Sequence, residues 1–446
     1  MNKFQIKIGS KGIFILISFI VITLIVDTSI VKISAITGGL RSTETSIAIF
    51  AIFGVIFAVG QYIILRFTSR VNEKIVNERL QFSAIGRVVS IMQYILIAIF
   101  ASIILQMIIT TSYDVQFLQV VIWINYLFAI ALLGFLSLRF LSWFRSNRNP
   151  VVLAYSLAIM MISINAVFTI LYVTNGLMSM PTSIQPELTP LAIYGGPTTA
   201  YGSGYVVTSV LSFILTWIAT VLLLHSYSRK FGRAKYWILV SIPLVYFLSQ
   251  FQPLFLNIFT QFQLSEPILF GVVYALFFSA VIPVGGILFG IAFWSVARNI
   301  HSNIVRQYMM ISAYGMMLLF SSNQASNLAL APYPPFGLTT VAFFGLASYL
   351  TFLGIYSSAL SVAEDSTLRQ SIRRFAIKES KLLDSIGTAE MEREIQRKVV
   401  VFTKRNQDKI MEETGIASSL TEEDVKEYLE LVINDVVKNQ HTNKSP

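Results

Sequence analysis

Residues 13–33 read IFILISFIVITLIVDTSIVKI, and this stretch decides the fold class. From Ile13 to Val26 the apolar run is broken only by Ser18 and Thr23. A helix rises about 1.5 Å per residue, so about 20 such residues cross the roughly 30 Å hydrocarbon core of a bilayer. The run is continuous rather than alternating, which argues against a membrane β-strand. A basic start, with Lys3, Lys7 and Lys11, also fits a signal peptide. No clean small-x-small cleavage site follows, so an uncleaved helix is favoured.

Nine further stretches of the same kind follow, near 45–65, 88–111, 115–138, 151–173, 205–224, 237–259, 268–297, 308–330 and 338–362. The 446 residues are 55% hydrophobic and 13% charged, about half the charged share of a soluble domain. A water-soluble globular protein and a disordered chain are both excluded. Residues 1–362 carry 19 Lys/Arg against 7 Asp/Glu, a net +12, and residues 363–446 carry 14 against 16, a net −2. The basic excess therefore lies on the hydrophobic part, where it marks loop orientation. A nucleic-acid binder would concentrate it on a soluble face, so no nucleic-acid partner is expected.

The basic residues alternate. Arg66, Arg70, Lys74, Arg79 and Arg87 follow the second stretch, Arg139, Arg145 and Arg148 the fourth, Arg229, Lys230, Arg233 and Lys235 the sixth, and Arg298 and Arg306 the eighth. Among the odd-numbered loops only Lys32 and Arg41 stand out. The expectation is an all-α, polytopic transmembrane helix bundle of about ten spans over residues 1–362, with both termini cytoplasmic. Residues 363–446 form a cytoplasmic C-terminal helical tail. Its apolar residues Leu368, Ile372, Phe375, Leu382, Leu383 and Ile386 recur at helical spacing, continuing the tenth span until Gly387 interrupts them. Arg369, Arg373, Arg374 and Lys378 lie just inside the membrane, either as anionic-lipid contacts or as a solvated anchor.

The chemistry such a chain can perform is bounded by what it lacks. There is no cysteine, and the histidines are His225, His301 and His441 alone. Thiolate nucleophiles, Cys-ligated zinc, iron–sulfur clusters, metal-binding helices and a Ser-His-Asp set are not available, so no enzyme and no cofactor are expected. What is left is polar chemistry inside the spans. Asp27 reads either as an ion or proton site or as a helix-end pair with Lys32 at a wetted interface. In the ninth stretch Asn323 and Asn327 are four apart and share a helical face, with Gln324 beside them. They line an aqueous pocket or glue helices together, and Asn125, Asn165, Gln250 and Gln252 are candidates to join them. Pro243, Pro253 and Pro283 are candidate kinks, because proline removes an internal hydrogen bond. Gly286 and Gly290 read as a close helix contact. The loop from Asn175 to Gly204 is a lid or a packed connector.

Two segments carry a likeness. Gly354-Ile355-Tyr356-Ser357-Ser358-Ala359, leading to Leu368-Arg369-Gln370-Ser371-Ile372-Arg373, is one; Leu382-Leu383-Asp384-Ser385-Ile386-Gly387-Thr388-Ala389-Glu390-Met391-Glu392 is the other. Over about the last quarter of the chain they resemble an uncharacterised family of multi-pass membrane proteins of ammonia-oxidising archaea. The resemblance implies a plasma-membrane location and supplies no activity. The favoured function is a non-enzymatic sensor or scaffold that relays through its helical tail to a cytoplasmic protein. The alternative is a permease or channel for a small uncharged solute. A tail docked back onto the loops would weigh against the relay.

Overall fold

The computed structural model describes residues 10–37, 42–73, 80–186, 199–225, 232–251, 265–300, 302–330, 332–364 and 381–414. The described residues are helical nearly throughout. Helices α1 (Ser10–Thr37), α2 (Thr43–Glu73), α3 (Leu80–Thr110), α4 (Val115–Ser146), α5 (Pro150–Met178) and α6 (Ala200–Leu224) come first. Helices α7 (Arg233–Ser249), α8 (Pro267–Ser279), α9 (Val281–Arg298), α10 (Asn303–Ser322), α11 (Leu338–Glu364) and α12 (Lys381–Thr414) follow. Among the described residues, eight segments are long and apolar enough to cross a bilayer: α1 to α6, α8 with α9 read together, and α11.

Two of the ten expected spans fall outside that set. Helix α7 is described over 17 residues, about 26 Å, slightly short of a hydrocarbon core. Helix α10 opens with Asn303, Arg306 and Gln307 and is less apolar than its neighbours. Most of it is buried between α9 and α11. A helix wrapped by other helices need not match lipid.

The centre of the bundle is α11, whose apolar span is buried along its whole length. Small residues bring its neighbours in. A Cβ on Gly315 of α10 would stand 2.5 Å from the Thr351 amide nitrogen, and one on Gly354 of α11 would stand 2.5 Å from that of Ser312. Helices α10 and α11 therefore touch backbone to backbone, antiparallel. Gly286 and Gly290 do the same between α9 and α10, where a Cβ on Gly290 would stand 2.7 Å from the Ala313 carbonyl oxygen. Apolar side chains gain nothing by leaving lipid for one another, so close van der Waals packing of this kind carries the association. On the outside, α1 to α9 present large apolar side chains such as Ile15, Ile108, Ile109 and Ile238. Patches of this extent mark a surface that faces lipid rather than water.

The kink expected at Pro283 lies one turn earlier. The chain breaks at Ala280, between α8 and α9, and Pro283 sits in the first turn of α9. The cause is the proline ring, which clashes with the carbonyl four residues back, here Ser279. Helix α7 runs through Pro243 without a break. Pro253 lies outside the described residues, as do Arg369, Arg373, Arg374 and Lys378.

Between the spans lies a two-residue antiparallel ladder, β1 (Tyr113–Asp114) with β2 (Ser183–Ile184). It pins the described part of the 175–204 loop to the start of α4, where the Val115 amide also donates to the Thr182 carbonyl at 3.0 Å. The bundle thus has two distinct ends. One holds the ladder and the start of α11. The other holds Arg139, Arg298 and Arg306, the end of α11, and the start of α12.

Candidate functional site

The ninth stretch does not form one helix. Helix α10 stops at Ser322, Asn323 takes a non-helical ψ of 63°, and Ala325–Leu330 continues as a 3₁₀ helix. Asn323 and Asn327 therefore do not share an α-helical face, and the spacing argument for them fails. The break frees the Asn323 side chain to point across the bundle. Its amide nitrogen donates to Asn165 Oδ1 of α5 at 3.0 Å, and its oxygen accepts from the Tyr126 hydroxyl of α4 at 3.1 Å. Asn165 in turn donates to Thr208 Oγ1 of α6 at 3.0 Å and to the Tyr205 carbonyl at 3.2 Å. The Tyr205 hydroxyl closes the ring on Ser326 at 3.1 Å. Four separate elements meet here through neutral amides, phenols and hydroxyls.

Every member of this network finds a partner, so its first effect is to fix how α4, α5 and α6 meet the broken segment. Gln324 stays local and donates to the Ser321 carbonyl at 3.3 Å. Asn327 is half-buried in the 3₁₀ turn, with its Cβ near Gly337. Asn165 joined Asn323 as the sequence suggested. Asn125 did not: its oxygen accepts from the Gly345 amide of α11 at 3.3 Å. Gln250 ends α7, and Gln252 lies outside the described residues.

Asp27 occupies a second polar centre. It is fully buried, so the wetted helix-end pair with Lys32 does not form, and among the described residues no ion pair includes it. Its Oδ1 accepts from the Gly337 amide at 2.9 Å. Its Oδ2 accepts from the Thr340 amide at 3.0 Å and the Thr340 hydroxyl at 2.8 Å. Gly337, at φ +89°, makes the turn that enters α11, a conformation an L side chain resists. Asp27 thus caps α11 from another helix, matching a negative charge to the orphan amides and positive dipole end of a helix N-terminus. Beside it the Tyr113 hydroxyl donates to the Pro332 carbonyl at 2.8 Å, and burial, with Tyr333 stacked nearby, holds that phenol well above its usual pKa. It remains a donor.

Comparison with known proteins finds no matching family model, no curated relative and no similar solved structure.

The third centre was hidden in the sequence. Helix α12 begins against the end of the bundle, with Leu382, Leu383, Ile386 and Ala389 buried. Gly387 does not interrupt it. A Cβ there would stand 2.2 Å from Val362 Cγ1, so the glycine is what lets α12 lie against α11. The Trp143 indole donates to Glu390 Oε2 at 2.8 Å in a buried position. Ser146 donates to Glu392, and the Asn149 amide donates to Ser385 Oγ at 2.6 Å. Asn149 also caps α5, accepting from the Val151 amide at 3.0 Å ahead of Pro150. One side chain therefore starts a span and holds the tail. The only forward signal was Glu390 among apolar residues at helical spacing. Trp143 and Asn149 carried none.

Beyond Glu390 the same helix continues to Thr414, and its apolar residues turn outward, with Val401 60% and Phe402 65% exposed. Glu394, Arg397, Lys398, Val401 and Phe402 line a shallow groove on this part. Among the described residues, no group of three or more His, Cys, Asp or Glu gathers in one place.

Proposed function

We propose that the protein is a non-enzymatic membrane sensor or scaffold of the plasma membrane, with ten spans and both termini cytoplasmic, which relays through its C-terminal helical tail. The observation that carries this is the double character of α12. Its first ten residues are bonded into the ends of α4, α5 and α11, and its remainder bears exposed apolar side chains. A rearrangement of the spans that changes the Trp143–Glu390 or Asn149–Ser385 contact moves the whole helix, because a helix transmits displacement along its axis. Among the described residues the docked part of the tail runs from Leu382 to Glu392, which weighs against the relay, but the exposed apolar side chains beyond it leave its distal part to a cytoplasmic partner.

A permease or channel for a small uncharged solute is the second reading. The breaks at Ala280 and Asn323 favour it, since interrupted spans often build solute sites near mid-membrane. Against it, the amides exposed by the Asn323 break are spent on one another.

A pull-down from native membranes in mild detergent, with the full chain and with residues 363–446 deleted, separates the two. A cytoplasmic protein retained only by the full chain is the expected result. Equal recovery from both, with solute uptake into vesicles, would replace the relay by the permease.

A further inference from the structure

Gln61 of α2 and Gln93 of α3 are 2% and 1% exposed, near the middle of two apolar spans. Gln61 Oε1, Gln93 Oε1 and Gln93 Nε2 lie buried without a hydrogen-bond partner from the protein. An amide left unpaired in an apolar medium is strongly disfavoured. Elsewhere in the bundle Asn125, Asn165 and Asn323 are paired.

The two glutamines share one locality. Phe57 of α2 stacks on Phe100 of α3 at 5.1 Å, and a Cβ on Gly54 would meet Phe100 and Ile104 at 3.5 Å, so the helices pack antiparallel. Gln61 lies one turn past Phe57 and Gln93 two turns before Phe100, about 6 Å and about 10 Å from that stack in the same direction. Their chain neighbours face α11: Phe343 packs edge-on to Phe57 at 5.1 Å, a Cβ on Gly60 would stand 3.5 Å from Phe343, and one on Gly345 would stand 2.8 Å from Met92 Cε. The buried side chains nearest this seam are apolar, among them Ile20, Phe57, Leu96 and Phe343.

We infer that Gln61 and Gln93 anchor a small neutral molecule bound between α2, α3 and α11. Two free carbonyl oxygens and one free amide nitrogen ask for a ligand that both donates and accepts. A single water has that set, as does a small amide or polyol solute. Buried waters characteristically make about three hydrogen bonds to groups otherwise unsatisfied. A charged ligand is refused, because nothing in these walls would offset its desolvation. The site lies apart from the Asn323 network and from α12, and it does not depend on the relay.

Radiolytic hydroxyl-radical labelling of the full chain in native membranes tests it, read at Met92, which adjoins Gln93. Met107, buried on the same helix among apolar groups, is the internal reference. The expected result is oxidation of Met92 several-fold faster than Met107, with the excess lost in Gln93→Leu. Gln61→Met, with its smaller change of shape, serves if Gln93→Leu does not fold. Glycerol or urea that slows Met92 labelling in the unaltered protein alone identifies a solute; labelling indifferent to both identifies water. Labelling of Met92 at the rate of Met107, or an excess unchanged by either substitution, overturns the site.

Discussion

The two ends of α11 are held by opposite means. At its start a buried carboxylate from α1, more than 300 residues distant in sequence, accepts three hydrogen bonds from Gly337 and Thr340. At its end a glycine of α12 lies against Val362, and α12 is held beside it by the Trp143–Glu390, Ser146–Glu392 and Asn149–Ser385 bonds to α4 and the start of α5. The first end depends on a single carboxylate and its three donors, and the second on close packing with several separate side-chain bonds around it. A buried ion is tolerable only while its partners are in place, so the Asp27 end is all-or-none. A packed surface loses energy by degrees, so the Gly387 end can loosen while the bundle stays folded. This asymmetry suits a molecule whose tail end moves and whose opposite end does not.

Three substitutions bear on that contrast. Asp27→Leu should cost most, about 3 kcal/mol or more, because it strands two amides and a hydroxyl at a buried helix start. Thermal unfolding in mild detergent measures it, and an unchanged melting temperature would dismiss the cap. Gly387→Val should cost less, about 1–3 kcal/mol, since overpacking forces α12 away from Val362. It should also speed amide hydrogen exchange over residues 382–390 while the spans stay intact. If the spans melt along with it, the two ends are not separable. Glu390→Gln should be mildest, about 1 kcal/mol, keeping shape and losing only the charged character of the acceptor for Trp143. Emission from Trp143 should shift, and its constancy would mean that the bond does not hold the tail.

The helical class and most span positions were legible because lipid imposes one rule along the chain: each crossing segment must be continuously apolar and satisfy its own backbone. The long segments 45–65 and 338–362 obey it, and helices stand there. Residues 308–330 also looked like a span, but the apolar pattern cannot register a helix that stops at Ser322 and resumes as a 3₁₀ turn. Gly387 failed as a stop signal for a related reason. Glycine serves both to end a helix and to let another helix approach, and only the neighbour tells which. Asp27 was visible as costly, yet its partners lie in Gly337 and Thr340, which no local spacing connects to it.

The sequence by itself determined that the chain is rich in long apolar helical stretches suited to a bilayer, that basic residues recur between them, and that cysteine is absent and histidine scarce. Those properties are sums over composition and periodicity, which need no partner. The tertiary structure alone decided that Asp27 caps α11, that Asn323 meets both Asn165 and Tyr126, that α12 is bonded to α4 and the start of α5, and that Gln61 and Gln93 are buried with unpaired amide atoms. Each is a relation between residues far apart in the chain, and hydrogen bonds and close packing act over a few ångströms of space rather than of sequence.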